Sequence, residues 1–499
     1  MSNGYTVSDE KNAVFEKSSS ITSLSNNEHE AEKQEPHFRA TLDPVDEVDA
    51  VVDPFASQLE NNNDAVNFRN MGWISAGLLI TCEQVALGIL SFPSNYHQLG
   101  MFGGVFSTFC IGMLCWITGI WLVEFKKKFP GCLNYGDAGR IMFGRVGGII
   151  FGYGLVLKSI FMAASHVLSG GIAFRKMIDN NALVCSIVWT VVMAVVSFLM
   201  SLSRRMEKLT ALSIASVTAI LTASFITVIA TGVQDNTRLI PEGGEPVKWY
   251  AFENHGLIGT ISALTDIIFG WGGQAIVLTV VSEMKRPDDF KKSLGIVQVL
   301  SITFYTIVGA TIYSFGGQYV TSPSLTMTAR PVMITAYAIA LISIFVAGVV
   351  PVAAGAKLVY VQAFRHSKRL TEKSWRMRFA WMGIVGSFWI LGWVIANLIP
   401  FFSESTDIHY SEMLSIISSI FSVWFALGLP GICILHLYRI NNASWREVFT
   451  WKRIPVIALA VLCICFSAVI TPLGIYSAAE KIKEGYSSGE FGGPFTCAS

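Results

Sequence analysis

The chain has 499 residues, of which 52% are hydrophobic and only 14% charged, and its net charge is +1. Soluble proteins carry about 25% charged residues, so the composition excludes an ordinary soluble enzyme or binding module and indicates a membrane protein. The small net charge gives no reason to expect a nucleic-acid partner, and we predict none.

The first 70 residues are rich in Ser, Asn, Glu and Asp and poor in aromatic residues. This composition predicts a disordered cytosolic tail. It contains no apolar stretch of the kind found in a cleavable signal peptide. The serine-rich run at 18–25 is either a phosphorylation segment or a plain linker. We therefore expect a tail at 1–70, one membrane domain at 71–480 and a second tail at 481–499.

Eleven apolar runs follow, and each meets or approaches the roughly 20 residues that a membrane-spanning helix needs. They lie at 74–92, 101–123, 147–174, 183–202, 209–232, 257–283, 294–316, 332–362, 379–402, 412–438 and 454–476. One set of alternate connections carries 22 Lys and Arg residues and the other set, with the C-terminal tail, carries seven. The positive-inside rule then predicts a cytosolic N-terminus and an extracytosolic C-terminus.

The first and sixth apolar runs are interrupted at corresponding points of what looks like a duplicated plan. The first contains EQVALGILSFP at 83–93, and the sixth contains DIIFGWGGQ at 266–274. A helix in lipid stays helical unless its break lines a protein cavity. Paired broken spans indicate the substrate site of a secondary transporter. The alternative is that these glycines only permit close helix packing.

Such breaks suit a zwitterion, because free amides receive an anion and free carbonyls receive an ammonium group. The amides of the first break would bind a carboxylate, and the carbonyls near Phe269 and Gly270 would bind the ammonium. Phe269 and Trp271 would wall a side-chain pocket, unless they are core packing residues. The predicted substrate-binding residues are Ala86, Gly88, Ile89, Leu90, Phe269, Gly270 and Trp271.

Ionisable side chains inside spans are costly and usually functional. Four are candidates for ion coupling, namely Glu83, Lys158, Asp266 and Lys357. His166 is either a proton carrier or a hydrogen-bonded packing residue. Glu124 and Glu283 lie near span ends, where contact with water is the simpler explanation.

The nine cysteines show no metal-ligand spacing, and we predict no metal site. Cys185 and Cys497 both fall on the extracytosolic side of the predicted topology, where disulfides persist. We expect them to form a bridge, with two free thiols as the alternative. The chain also lacks a phosphate-binding loop, a zinc-protease helix and a nucleophile elbow. We therefore expect no enzyme activity and no cofactor, and gradient-driven transport is the leading class.

Four segments in order resemble the amino acid/auxin permease family, and most closely its fungal neutral and aromatic amino acid permeases. They are ALGILSFP at 86–93, NYGDAGRIMFGR at 134–145, SHVLSG at 165–170 and SEMKRPDDFKKS at 282–293. The resemblance covers about residues 68–499. It implies an all-α integral membrane fold of eleven helices, with a five-plus-five inverted repeat of the leucine-transporter type, broken helices 1 and 6, and one extra C-terminal helix. It also implies proton-driven uptake of amino acids.

Two departures from that family bear on coupling. Its members carry small or neutral residues in place of Lys357, and amides in place of Lys158 and Asp266. In this fold the meeting of spans 1 and 8 can hold a sodium ion, which a lysine ammonium would replace. We expect Lys357 to form a salt bridge with Glu83, or to donate to the Ala86 and Ile89 carbonyls, and thereby to couple transport to protons. A static brace between the two spans is the alternative.

The sequence therefore predicts a secondary active transporter that moves a neutral amino acid, aromatic ones included, together with protons. We expect it in the plasma membrane rather than the vacuolar membrane. Two alternatives are a carrier for an amino-acid-derived metabolite and a non-transporting amino acid receptor with the same fold. A channel is the third, and it would show no saturable uptake.

Overall fold

The computed structural model describes residue 55 and residues 66–178, 185–235, 239–241, 243–365, 367–398, 409–442 and 448–487. Secondary structure across these residues is helical, and the only β pairing among them is an isolated bridge between Met71 and Met284. The all-α prediction is therefore confirmed.

The first half of the membrane domain contains five helices and one 3₁₀ turn in the middle of the first predicted span. They are α1 (Trp73–Gln84), the turn Leu87–Ser91, α2 (Phe92–Lys128), α3 (Tyr135–Ile178), α4 (Ser186–Met200) and α5 (Thr210–Val233).

The second half also has a 3₁₀ turn inside its first predicted span, and its described residues include nine α-helices. It contains α6 (Gly256–Phe269), a 3₁₀ turn (Gly272–Ile276), α7 (Val277–Ser282), α8 (Phe290–Gly316), α9 (Arg330–Ala347), α10 (Val349–Phe364), α11 (Trp375–Leu398), α12 (His409–Ile417), two π-helical segments (Ser418–Ser422 and Trp424–Gly428), α13 (Leu429–Ile440) and α14 (Ile454–Ser487).

Eight helical stretches of the described chain are long and apolar enough to cross a membrane, or nine if the bent pair of α6 and α7 counts as one span. One of the eight, 73–128, is interrupted between α1 and α2 and kinked again at Gly100. The apolar helix at Ile187–Met200 is shorter than the others. The membrane-spanning character is confirmed, whereas the number of eleven spans stays a prediction.

Both predicted helix breaks are present. In span 1 the helix ends where Val85 (φ −86°, ψ 58°) and Ala86 (φ −101°, ψ −151°) leave helical geometry. In span 6 the axes of α6 and α7 differ by 47°. Glycine lets the two breaks approach each other, because a Cβ atom on Gly273 would lie 2.8 Å from Cγ of Gln84.

The helices pack so that the broken spans lie inside the bundle. Helix α8 runs along α2, α9 along α5, and α3 lies against both α10 and α11. Helix α1 packs on α5 and α8 and reaches the turn before α7. Helix α14 lies outside this arrangement against α6, α12 and α13, and much of its surface is exposed, as expected of a helix that faces lipid.

The loop before α6 is attached to α2 at a second kink. Gly100 has φ +75°, a conformation that only glycine adopts readily. The freed amides of Met101 and Phe102 donate to the carbonyls of Tyr250 and Ala251, each at 2.9 Å. A Cβ atom at Gly100 would lie 2.7 Å from the Ala251 oxygen. The loop therefore covers this end of the bundle only because residue 100 is glycine.

Gly100→Ala should lower the stability of the purified protein. A backbone with positive φ and extended ψ, adopted essentially only by glycine, costs an alanine about 1–3 kcal/mol, and the methyl group would also collide with the loop backbone. Gly383→Ala is the matched control, because a Cβ atom there has no neighbour within 4 Å. Thermal melting in detergent measures both. Equal melting temperatures for Gly100→Ala and the native chain would contradict the close loop contact.

Candidate functional site

A single tyrosine connects the two helix breaks. The Tyr305 hydroxyl lies 2.7 Å from the Gln84 carbonyl oxygen and 2.8 Å from the Gly270 carbonyl oxygen. Its one proton can be donated to either. Tyr305 comes from α8 and is buried, so span 7 holds the ends of α1 and α6 side by side.

A buried ion pair lies at the same level. The Lys158 ammonium, from α3, donates to Glu83 Oε1 at 2.9 Å and to the Gly272 carbonyl at 3.1 Å. The two charged side chains are only 1% and 0% exposed. Two of the four coupling candidates are therefore in direct contact, and Lys158 joins the break in span 1 to the break in span 6.

Lys357 is held elsewhere, so the predicted Lys357–Glu83 salt bridge is wrong. Its ammonium is paired with Glu283 at the end of α7, and it lies over the Phe68 and Phe55 rings at 4.3 and 5.1 Å from their centroids. The prediction used the adjacency of spans 1 and 8 but not the depth of the lysine. Lys357 stands at the level of the end of α7, whereas Glu83 stands at the break.

The environment of Glu283 also differs from the one that the sequence predicted. The sequence places it near a span end, in contact with water, but its side chain is fully buried. Its second carboxylate oxygen accepts the Met206 amide at 3.2 Å. The backbone beside it pairs with the segment before α1, since the Met71 amide donates to the Glu283 carbonyl at 3.1 Å. This second pair therefore closes the Lys- and Arg-rich side of the bundle.

The predicted substrate-binding residues are all buried. Ala86 is 5% exposed and Phe269 is 8% exposed, and Ile89 and Leu90 are 0% exposed. Gly88 faces Phe269 across the two breaks, and a Cβ atom on Gly88 would lie 3.2 Å from the ring. The structure thus brings the two breaks together in a closed arrangement. That these residues line a substrate cavity stays a prediction.

Trp271 makes the contacts of a packing residue. Its indole nitrogen donates to Gln298 Oε1 at 2.7 Å, and its ring packs edge-on against Tyr305 at 5.1 Å between centroids. A Cβ atom on Gly112 would lie 2.8 Å from the indole. These contacts with α2 and α8 favour core packing over a pocket wall for Trp271, whereas Phe269 remains beside Gly88.

Among the described residues, neither Asp266 nor His166 forms a hydrogen bond or ion pair with Glu83 or Lys158. Asp266 is buried, and its charged neighbours are Lys481 and Glu412, which are 3.7 Å apart. His166 lies with Nδ1 2.9 Å from the Met162 carbonyl oxygen, and its ring packs against Gly348. Packing is the alternative that the contacts of His166 favour.

Sequence reasoning missed the part played by the segment at 134–145, which the structure places at the start of α3. Asp137 forms a buried ion pair with Arg365 at 2.6 Å, and Arg365 also donates to the Gly131 carbonyl at 3.0 Å. Asp137 further accepts the Leu133 amide at 2.9 Å. The motif served only as a mark of resemblance, although an acidic residue in the first turn of a helix could have suggested a basic partner such as Arg365.

The predicted disulfide is tested only in part. Cys185 precedes α4 and is disulfide-bonded, whereas Cys497 lies outside the described residues. The Cys185–Cys497 pairing therefore stays a prediction.

The fold and the paired breaks define a membrane protein of the leucine-transporter type. Among solved structures, MhsT in complex with L-phenylalanine superposes with a TM-score of 0.55 at 11% identity, covering 82% of this chain and 99% of that one. A nucleobase-cation-symport-1 family transporter in a closed conformation gives a TM-score of 0.52 at 14% identity, covering 86% and 96%. At these identities the likeness shows the fold.

The family follows from the sequence. The pattern of the transmembrane amino acid transporter protein family matches residues 69–479. The N amino acid transport system protein of Neurospora crassa is 30% identical over 438 residues, which cover 86% of this chain and 89% of that protein. The chain belongs to the transmembrane amino acid transporter family, as the resemblance predicted.

The Glu83–Lys158 and Glu283–Lys357 pairings can be checked with double variants, in which the second substitution removes the charge that the first leaves unpaired. Removing one member of a buried pair leaves an unpaired charge and costs about 3–5 kcal/mol. Lys357→Met should therefore be strongly destabilised, and Glu283→Gln in the same chain should restore most of the loss. Lys158→Met should be restored by Glu83→Gln in the same way. Thermal melting of the purified protein measures each double variant.

The crossed combinations are the controls. Glu83→Gln should not restore Lys357→Met, and Glu283→Gln should not restore Lys158→Met. A rescue of Lys357→Met by Glu83→Gln would show that the original sequence-based pairing was correct.

Proposed function

We propose that this protein is a secondary active transporter that moves a neutral amino acid across the plasma membrane together with protons. The observation that carries the proposal is the buried Glu83–Lys158 pair, which touches both helix breaks through Glu83 and the Gly272 carbonyl. Family membership supports amino acid transport in general. The neutral substrate, the proton and the membrane are our own inference.

The substrate would lie between the breaks. The first amides of the 3₁₀ turn after Ala86 have no acceptor within the turn, so they suit the carboxylate. The carbonyls where α6 ends suit the ammonium group. Phe269 lies against Gly88 in the closed arrangement and would move aside for an apolar side chain. This division of roles favours a neutral amino acid. Lys158 and Glu83, the charged side chains that contact the breaks, are paired with each other and therefore offer no net charge to a charged substrate side chain.

Coupling would proceed through Lys158 rather than Lys357. A proton transferred to Glu83 neutralises the carboxylate and removes its ionic attraction for Lys158. Helix α3 would then be free to separate from α1, so protonation favours one conformation over another. The Lys357–Glu283 pair would act in the same cycle by closing the cytosolic side, and it must open for substrate release.

Uptake into vesicles tests the function. The full-length purified chain is reconstituted in lipid vesicles, and a labelled neutral amino acid is supplied with an inward proton gradient. Unlabelled amino acids, all twenty in turn, then compete for uptake. We expect saturable accumulation that neutral amino acids inhibit and that a protonophore abolishes. Binding without accumulation would instead identify a receptor, and accumulation insensitive to the protonophore would contradict proton coupling.

A double variant isolates the coupling step. Glu83→Gln with Lys158→Met removes both charges without leaving one unpaired, so it should fold. It should exchange substrate across the membrane in counterflow yet fail to accumulate substrate against a gradient. Lys248→Met is the control, because that lysine lies in the loop before α6 and pairs with exposed Glu245, and this variant should accumulate substrate normally. Normal accumulation by the double variant would refute coupling through this pair.

A further inference from the structure

Three metal-binding side chains meet on the outer face, away from the helix breaks. His97 belongs to α2 and precedes its kink, and Glu253 and His255 lie in the loop that leads into α6. His97 Nδ1 lies 3.1 Å from Glu253 Oε2, and His255 Nε2 lies 3.1 Å from Glu253 Oε1. Ligand atoms of all three lie within 4.8 Å of one another. The carboxylate therefore stands between two imidazole nitrogens.

The cluster is held in place and is accessible. Tyr313 of α8 donates its hydroxyl proton to Glu253 Oε2 at 3.0 Å, and the Tyr250 amide donates to that same hydroxyl at 3.2 Å. The side chains of His97, Glu253 and His255 are 20%, 18% and 39% exposed. An ion in solution can therefore reach donors that already face one another.

The donor set selects the metal. Two imidazole nitrogens and one carboxylate, with a water molecule in the fourth position, form a common tetrahedral zinc set. Zn–N and Zn–O bonds are about 2.0–2.2 Å long, so two donors now 3.1 Å apart need only small rotations to share one ion. Magnesium and calcium prefer oxygen ligands, and imidazole does not suit them.

We propose that His97, Glu253 and His255 form a zinc-binding site, and that bound zinc slows transport. His97 belongs to the first repeat, whereas His255 directly precedes the first helix of the second repeat. Alternating access in such folds moves one part of the molecule against another around the substrate site. A metal ion coordinated from both repeats would stabilise this closed arrangement of the outer face. The effect on transport rests on the proposed function, but the zinc site does not.

Calorimetry with zinc chloride alone tests the site without any transport assay. The full-length detergent-purified chain should bind one more zinc ion than the variant carrying His97→Gln, Glu253→Gln and His255→Gln. His255→Gln alone should weaken that site at least tenfold, since even losses in the surroundings of metal ligands cost about 10–100-fold. Calcium and magnesium should not compete.

Glu245→Gln is the matched control for binding. Glu245 is a carboxylate of the same outer loop, 73% exposed and paired with Lys248 at 2.7 Å, and its replacement should leave zinc binding unchanged. Melting temperatures without zinc verify that the variants are folded. Equal zinc binding by the native chain and the triple variant would overturn the site, because zinc would then bind elsewhere.

Uptake in vesicles tests the second half of the proposal. Zinc added outside should slow uptake by the native chain and by Glu245→Gln, EDTA should reverse the effect, and the triple variant should resist it. If zinc binds at the site but uptake is unchanged, the regulatory role is refuted and the site stands. If no uptake occurs with or without zinc, the transport proposal itself fails, and calorimetry still decides the site.

Discussion

A lipid bilayer offers no hydrogen-bond partner to a backbone amide or carbonyl, and two interrupted spans free several of these groups in the middle of the bundle. Side chains from the surrounding helices replace the missing partners. Tyr305 reaches the carbonyls of Gln84 and Gly270, and Lys158 reaches that of Gly272. The scaffold helices α3 and α8 therefore stabilise both breaks with polar groups that come from outside them.

Much of this arrangement is readable from sequence, because glycine and proline interrupt apolar runs in a recognisable way. The breaks after Glu83 and Asp266 follow from that pattern. The pairing of charges does not, because helix adjacency leaves the relative depth of two side chains undetermined, and Lys357 lies at the level of Glu283. Tyr305 resembles any buried tyrosine in an apolar span. The outer histidine cluster joins positions 156 residues apart, which no local spacing indicates.

The two ion pairs also explain how four charges remain in a largely apolar core. An isolated buried charge is costly, whereas a paired one with further hydrogen bonds is tolerated. Each lysine gains a second partner, the Gly272 carbonyl for Lys158 and the Phe68 ring for Lys357. Each pair is therefore neutral while closed, and it becomes unfavourable as soon as its partners separate in a dry environment. Opening either pair thus calls for water, a proton or substrate to take the place of the lost contact.

The two pairs lie at opposite ends of a unit formed by α1 and α7. Helix α1 has 12 residues and is about 18 Å long, and α7 lies beside it in the opposite direction. Glu83 and Lys158 tie the inner ends of the two helices at the breaks, whereas Glu283 and Lys357, with Phe68 and the Met71–Met284 bridge, tie their other ends. Loss of one pair would free only one end of this unit. A proton at Glu83 would therefore loosen the end of this unit at the breaks while the other end is still closed by Glu283 and Lys357, and the second pair would have to open as a separate step.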